Sequence, residues 1–211
     1  MMIDLKYLFD KYGINCTGIL HVGASTGQER DTYAELNIPE VLWIEAIPFV
    51  FAELKENLLP YQNQIAIKAC ISDVDNEEVV FNISNNEAQS SSFLELGTHT
   101  EIHPEVHYIE QIKLETIRLD SLFNLLERDI KHINFGNFDL QGCELKALKS
   151  LGKIINQFDY FYLEVNQKET YKGCALVWEI DEFLSDFERV ETGEWVGGCW
   201  SDALYVRRSL L

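Results

Sequence analysis

The stretch "GILHVGASTGQER", residues 18–30, decides the fold of this chain. An apolar run reaches Gly23, three small or polar residues follow, and Gly27 then opens a polar stretch that is compatible with a helix. A buried strand that turns tightly into a helix is typical of the first unit of an open α/β sheet. Ligands bind beyond the carboxyl ends of the strands in such sheets, so this turn is predicted to border a binding site.

Further apolar, β-rich runs alternate with helical patterns, which predicts parallel strands joined by crossover helices. The predicted strands are residues 18–23, 41–46, 65–72, 132–140 and 159–165. The predicted helices are residues 26–37, 49–59, 119–129, 143–152 and 176–187. Residues 187–208 lack a helical period and include a pair of glycines, so two antiparallel strands joined by a loop are expected there. The sequence therefore predicts an α/β fold with a mostly parallel sheet and an antiparallel C-terminal hairpin.

The composition narrows the classes of function. With 211 residues, 46% of them hydrophobic, the chain is expected to form one domain over residues 1–211, in which residues 1–17 are an N-terminal helix and lead-in. A net charge of -18 opposes binding to phosphate backbones and anionic lipid, so neither a nucleic acid nor a membrane is an expected partner. The five scattered cysteines indicate reduced thiols, and no signal peptide or bilayer-spanning run is found, which predicts a cytoplasmic protein.

The glycine turn indicates what kind of cofactor the site would hold. Dinucleotide folds use G-x-G-x-x-G because a pyrophosphate rests on the helix N-terminus. Here the frame is G-A-S-T-G, and Ser25 stands in place of the middle glycine. A cofactor without a pyrophosphate therefore fits better, although a nicotinamide-dependent oxidoreductase remains an alternative.

Two further predicted strands end in acids whose positions in the sequence suit contacts with an adenosine. Glu45 follows Gly27 by 18 residues, about where an acid meets the ribose hydroxyls of an adenosine. The third predicted strand ends in Ser72 and Asp73, and an acid at that rim can accept a hydrogen bond from an adenine amino group. A glycine turn, a ribose acid and an adenine-side acid together predict an adenosine site of the S-adenosylmethionine type.

At this point the chain resembles the FkbM-type methyltransferases of the class I S-adenosylmethionine-dependent fold. The similarity extends from Gly18 over nearly the whole chain, and "FDLQGCEL", residues 138–145, is its most specific match. The resemblance implies a Rossmann-like, seven-stranded sheet with helices on both faces. With the spacings above, it implies that the cofactor is bound by His21, Gly23, Ala24, Ser25, Gly27, Glu45, Ala46, Ser72, Asp73 and Asp139. It implies substrate contacts at Asn85, Ser92, Gln141 and Asn166.

Methyl transfer to a hydroxyl requires a group that takes up the hydroxyl proton. Asp139 ends the fourth predicted strand and Glu164 the fifth, so both are expected at one edge of the sheet as catalytic residues. With Asn166 they offer an oxygen-only set suited to a divalent metal such as magnesium or manganese. A metal-free carboxylate base and a metal-assisted reaction both remain open.

The acceptor of the methyl group is implied by the family resemblance, and not by the spacing of residues in the sequence. It points to an O-methyltransferase acting on a sugar hydroxyl, within a glycan or glycoconjugate. The alternatives are a polyketide-like or other small-molecule hydroxyl, and a binding module that has lost catalysis. His99, His103 and His107 recur every four residues, but Pro104 disfavours the helix that would align them as metal ligands. One of these histidines is instead expected to touch the substrate.

Overall fold

Ten strands form two sheets in the computed structural model, which describes residues 3–211. Met1 and Met2, where the predicted N-terminal helix and the predicted domain begin, lie outside the described residues. The strands are β1 Ile19–Val22, β2 Val41–Glu45, β3 Gln64–Lys68, β4 Cys70–Ile71, β5 Glu78–Ser84, β6 Tyr108–Ile117, β7 Phe135–Phe138, β8 Tyr160–Asn166, β9 Phe187–Thr192 and β10 Trp200–Arg207.

The larger sheet has seven strands in the order β3-β2-β1-β7-β8-β10-β9. Its first five strands are mutually parallel, and β10 runs antiparallel to both β8 and β9. The order reverses between β1 and β7, which are neighbours in space although more than 110 residues separate them in the chain. The predicted mostly parallel sheet with an antiparallel C-terminal hairpin is confirmed.

The described residues form seven α-helices, and all but α4 contribute to the clusters that cover the two faces of this sheet, as predicted. They are α1 Leu5–Tyr12, α2 Arg30–Glu35, α3 Pro48–Asn57, α4 His99–Ile102, α5 Leu119–Leu125, α6 Glu144–Ser150 and α7 Val177–Phe183. Successive residues of a strand point to opposite faces. In β2, Trp43 therefore packs with Leu8 and Tyr33 on one face, while Ile44 packs with Leu148 and Ile180 on the other. No helix within residues 3–211 is long and apolar enough to cross a bilayer.

The smaller sheet was not expected from the sequence. The run 65–72, predicted as one strand, is divided at Ala69, whose N–H donates to the carbonyl of Glu45. Before it, β3 lies in the main sheet; after it, β4 pairs with β6, which also pairs with β5, in the order β4-β6-β5. Most of β6 is exposed or half-buried, so its alternating charged and apolar residues gave no continuous apolar run to recognise.

The helix predicted over residues 26–37 begins only at Arg30. Ser25 and Gly27 have φ angles of 45° and 76°, so the chain between β1 and α2 follows left-handed turns. A left-handed residue cannot continue a right-handed helix, and these two positions therefore delay its start.

Candidate active site

A cavity of about 660 Å³ lies beyond the carboxyl ends of β1, β2 and β7, bordered by the turn after β1. Residues 81–106, which include part of β5 and the connection to β6, form its opposite wall. Of the predicted cofactor residues, His21, Gly23, Ala24, Ser25, Glu45, Ala46 and Asp139 line it. The tertiary structure thus gathers at one cavity residues that the sequence separates by more than 110 positions.

Three predicted cofactor residues do not line the cavity: Gly27, Ser72 and Asp73. Gly27 packs beneath the turn, where an added Cβ would meet Leu54 at 2.8 Å. The carboxylate of Asp73 lies 3.0 Å from the Lys146 ammonium of α6, and this partner lowers its pKa against an opposing effect of burial. Asp73 is therefore an ion-paired acid beside α6, and Cys70 and Ile71 line the cavity where it was expected.

Gly23 is required by the protein backbone. Its φ of 82° favours glycine, and a Cβ there would overlap the carbonyl oxygen of Asp139. The first constraint on this glycine is thus the close passage of the chain after β7, rather than the approach of a ligand.

Glu45 joins the turn after β1 to the start of α3. Its Oε2 accepts from the Ser25 N–H at 2.9 Å and its Oε1 from the Ile47 N–H at 2.7 Å. Burial raises its pKa to about 7, and the charge of Asp139 contributes in the same direction. Each carboxylate oxygen keeps a second lone pair, with which it can accept from a hydroxyl in the cavity.

His21 lies at the end of β1, stacked on Trp43 at 4.6 Å between ring centroids. Its Nδ1 lies 3.1 Å from the Tyr33 hydroxyl, which also accepts from the Asn137 amide at 2.7 Å. Burial lowers the pKa of His21 to about 3, so the imidazole is neutral. Asn137 and His21, at facing positions of β7 and β1, therefore form a neutral hydrogen-bonded set with Tyr33, and of these three residues His21 lines the cavity.

The expected proximity of Asp139 and Glu164 is present, and Gln141 connects the two carboxylates. The Gln141 amide nitrogen donates to Asp139 and, at 3.3 Å, to Glu164, while its oxygen accepts from the Tyr171 hydroxyl. Gln141 adopts a φ of 52°, an uncommon conformation for a residue with a side chain. Burial raises the pKa of Asp139, and that of Glu164 is raised by burial and then by the charge of Asp139.

Of the predicted metal set Asp139, Glu164 and Asn166, the two carboxylates lie together. The third carboxylate beside Asp139 and Glu164 belongs to Glu144, and their oxygens lie within 4.8 Å of one another. The Asn166 amide is buried, has no hydrogen-bond partner among the described residues, and does not line the cavity. Asn166 pairs in register with Trp200 at the end of β8.

Three acidic residues of the cavity were missed by the sequence reasoning: Glu29, Asp202 and the exposed Glu105. Asp202 faces Glu164 in the pairing of β10 with β8, and burial raises the pKa of both Glu29 and Asp202 to about 7. The signal for Asp202 was an acid within the otherwise apolar run "DALYV" of a buried strand. No lysine or arginine is among the residues that line the cavity in the described part of the chain.

Only some of the predicted substrate residues line the cavity. Asn85 and Gln141 line it, whereas Ser92 does not: its hydroxyl donates to the Gln141 carbonyl at 3.0 Å. His99 and His103 line the cavity with ring centroids 5.2 Å apart, and His107 does not. The three-histidine metal alignment, already disfavoured by Pro104, is not formed among the described residues, because α4 ends at Ile102.

The fold and the acid-lined cavity at its switch point define a Rossmann-like methyltransferase. Residues 21–191 match the methyltransferase FkbM domain family, and the chain belongs to that family. It is accordingly an S-adenosylmethionine-dependent methyltransferase, and the family assignment replaces the nicotinamide alternative. No curated protein sequence matches the chain.

Solved structures with the same fold share little sequence with this chain. TrmK of M. capricolum, solved with S-adenosylhomocysteine, has a TM-score of 0.53 at 8% identity, over 99% of this chain and 70% of that one. An S-adenosylmethionine-dependent methyltransferase from Aquifex aeolicus has a TM-score of 0.52 at 14% identity, over 98% and 90%. The fibrillarin pre-rRNA processing protein of Methanococcus jannaschii has a TM-score of 0.50 at 14% identity, over 91% and 66%. At these identities the likeness concerns the fold alone.

Proposed function

We propose that this protein is an O-methyltransferase whose acceptor is a neutral hydroxyl, of the kind that a sugar in a glycan or glycoconjugate carries. The observation behind this proposal is the carboxyl pair of Asp139, which is half-buried, and Glu164, which is buried, in a cavity whose described lining includes no lysine or arginine. A carboxylate at this position can take up the proton of a hydroxyl, whereas a phosphorylated acceptor would meet acids without a cation to balance it. The net charge of -18 likewise disfavours RNA as the acceptor.

The cavity suits a cationic cofactor. S-adenosylmethionine, when bound, supplies an electrophilic methyl group on a positively charged sulfur. Glu29, Glu45 and Asp202 offer negative charge to such a ligand, and Glu45 can accept from the ribose hydroxyls with the lone pairs left free by Ser25 and Ile47. Glu45 contacts the turn after β1 directly, through the Ser25 N–H.

The proposed roles of the carboxyl pair follow from its hydrogen bonds. Gln141 donates to both Asp139 and Glu164, which holds the two acids side by side without adding charge. Burial raises the pKa of both carboxyl groups, and a raised pKa makes a carboxylate a stronger base toward the hydroxyl proton. The other carboxyl group of the pair orients the acceptor hydroxyl.

The test is a methyl-transfer screen with the purified protein and labelled S-adenosylmethionine. Neutral oligosaccharides, sugar phosphates, a polyketide macrolide and transfer RNA are offered as acceptors under identical conditions. The proposal expects label on a neutral oligosaccharide. Methylation of transfer RNA alone would overturn it, methylation of the macrolide alone would support the small-molecule alternative, and no transfer to any acceptor would favour the binding module.

Chelation separates a carboxylate base from a metal-assisted reaction. Without a metal, EDTA leaves the rate unchanged, while Asp139→Asn or Glu164→Gln lowers turnover by about a hundredfold or more with little change in cofactor affinity. If Asp139 and Glu164 hold magnesium or manganese, EDTA abolishes turnover and the added ion restores it. Glu182→Gln, an exposed acid on α7, is the control for general charge effects.

A further inference from the structure

The cavity has two chemically different sides. The side at the sheet edge carries most of the acids, whereas the lining contributed by residues 81–106 has one acid, the exposed Glu105, and neither lysine nor arginine. That wall presents amides, hydroxyls, aromatic rings and imidazoles to the cavity. Its lining residues include Phe81, Asn85, Ser90, Ser91, Phe93 and His99.

His99 stands out on this wall because it is buried and incompletely paired. Its side chain lines the cavity, and the residue is only 5% exposed. Nε2 lies 3.1 Å from the Ser90 hydroxyl, but Nδ1 is buried without a hydrogen-bond partner. A buried polar atom without a partner is unfavourable, so a ligand that supplies one gains binding free energy at this position.

The surroundings of His99 tie it to the reacting groups. Its ring packs against Tyr171 with centroids 5.6 Å apart, and the Tyr171 hydroxyl donates to Gln141, which bridges the catalytic carboxyls. His99 is therefore connected to the proposed proton acceptor through Tyr171 and Gln141.

We propose that the wall formed by residues 81–106 is the acceptor subsite, that it takes a neutral polyhydroxylated ring such as a pyranose, and that His99 binds one of its hydroxyls through Nδ1. This inference rests on the proposed function and adds the residue that recognises the acceptor. A hydroxyl both donates and accepts, so it satisfies Nδ1 in either tautomer of the imidazole. Phe81 and Phe93, with ring centroids 6.4 Å apart, offer apolar surface to the C–H faces of such a ring.

The side chains of this wall do not favour anionic ligands. Burial, followed by the neighbouring charge of His103, lowers the pKa of His99, so its imidazole is neutral at neutral pH. A neutral imidazole with no lysine or arginine beside it gives a phosphate or carboxylate no ionic partner. The subsite therefore discriminates in favour of uncharged rings.

Two substitutions at the same position separate the two imidazole nitrogens. His99→Asn keeps a polar atom close to the position of Nδ1 and loses the contact with Ser90, whereas His99→Gln keeps a polar atom close to Nε2 and loses Nδ1. His107→Asn is the matched control, because His107 is exposed on the same segment and does not line the cavity. Each variant is first checked by its melting temperature and by calorimetry with S-adenosylhomocysteine, which should match the wild type.

Binding is then measured by saturation-transfer NMR on the S-adenosylhomocysteine-bound protein, with maltose, lactose and chitobiose as neutral probes and glucose 6-phosphate and glucuronate as anionic ones. We expect at least one neutral probe to bind the wild type, His99→Asn and His107→Asn, and to bind His99→Gln about tenfold more weakly or not at all. Equal binding to His99→Gln and the wild type, loss in both His99 variants, stronger binding of the anionic probes, or binding of no neutral probe would each overturn the inference.

The outcome for the subsite is distinguishable from that for the proposed function. A neutral sugar that binds with the expected pattern but accepts no methyl group leaves the subsite in place and refutes the reaction. A sugar that is methylated with the same KM by His99→Gln and by the wild type refutes the role of His99 and leaves the reaction in place.

Discussion

Glu45 shows how one side chain serves both the fold and the proposed cofactor site. It is 6% exposed, and its two oxygens accept from the backbone N–H groups of Ser25 and Ile47. These contacts fix the turn after β1 against the first turn of α3. A substitution here therefore tests binding only if the variant keeps a hydrogen-bond acceptor for the backbone.

We predict that Glu45→Gln keeps the fold but binds S-adenosylmethionine about tenfold more weakly, because hydrogen bonds to a charged group contribute about 1.5–3 kcal/mol each. Glu45→Ala should weaken binding further and also lower the melting temperature, since two buried amides lose their acceptor. Calorimetry on both variants measures the affinity. Asp73→Asn is the control, because Asp73 pairs with Lys146 outside the cavity; an equal loss of affinity in that variant would contradict this placement.

At the scale of elements, the turn between β7 and α6 places both Asp139 and Gln141. Within this turn Gln141 and Gly142 have φ angles of 52° and 96°. The turn is held by Glu144, whose Oε1 accepts from the N–H of Leu140 at 2.8 Å and of Gly142 at 3.1 Å. The acid at the start of α6 therefore stabilises an otherwise unfavourable backbone conformation.

We expect Glu144→Ala to lower the free energy of unfolding by about 2–4 kcal/mol, because two backbone amides in the turn are left without an acceptor. Glu144→Gln retains one carbonyl acceptor and should lose clearly less. Urea denaturation of the two variants gives the difference, and Glu182→Ala, at an exposed position of α7, should stay within about 0.5 kcal/mol of the wild type. Wild-type stability in Glu144→Ala would show that the turn does not depend on this carboxylate.

On the scale of the whole molecule, a group of buried and half-buried acids lies in and beside the cavity. The pKa values of Glu29, Glu45, Glu144 and Asp202 are each raised to about 7, in every case chiefly by burial. Raised values mean that the folded protein holds these protons at a pH where the unfolded chain has released them. Folding stability is therefore linked to pH through this group.

The sign of that linkage gives a prediction. Between the ordinary carboxyl pKa of about 4.5 and the raised values, the folded state binds more protons, so stability falls as the pH rises from about 5 to about 8. Differential scanning calorimetry of the ligand-free protein should show the melting temperature decreasing over this range, with a smaller decrease in Asp202→Asn. S-adenosylmethionine should raise the melting temperature more at pH 8 than at pH 6. For S-adenosylhomocysteine, which lacks the sulfonium charge, the difference between the two pH values should be smaller. A melting temperature that rises steadily to pH 8 would contradict the raised pKa values.

The sequence by itself determined the main sheet and the position of its cavity. Apolar runs at β1, β2, β7 and β8 are buried on both faces, so their composition alone identifies them. The glycine turn after β1 and the acids at the ends of β7 and β8 were located because the carboxyl ends of parallel strands meet at one edge.

Only the tertiary structure decided which polar residues share the cavity and which support it. Asp73 follows a strand end as Glu45 does, yet it pairs with Lys146, because the chain leaves the main sheet at Ala69. Asp202 was missed because its partner Glu164 lies 38 residues earlier and meets it only through the antiparallel pairing of β10 with β8. The smaller sheet and the unpaired Nδ1 of His99 likewise depend on contacts between distant segments. A run of apolar residues shows that a strand is buried, because burial depends on the strand's own composition. The neighbours of a polar side chain depend instead on how distant elements pack together.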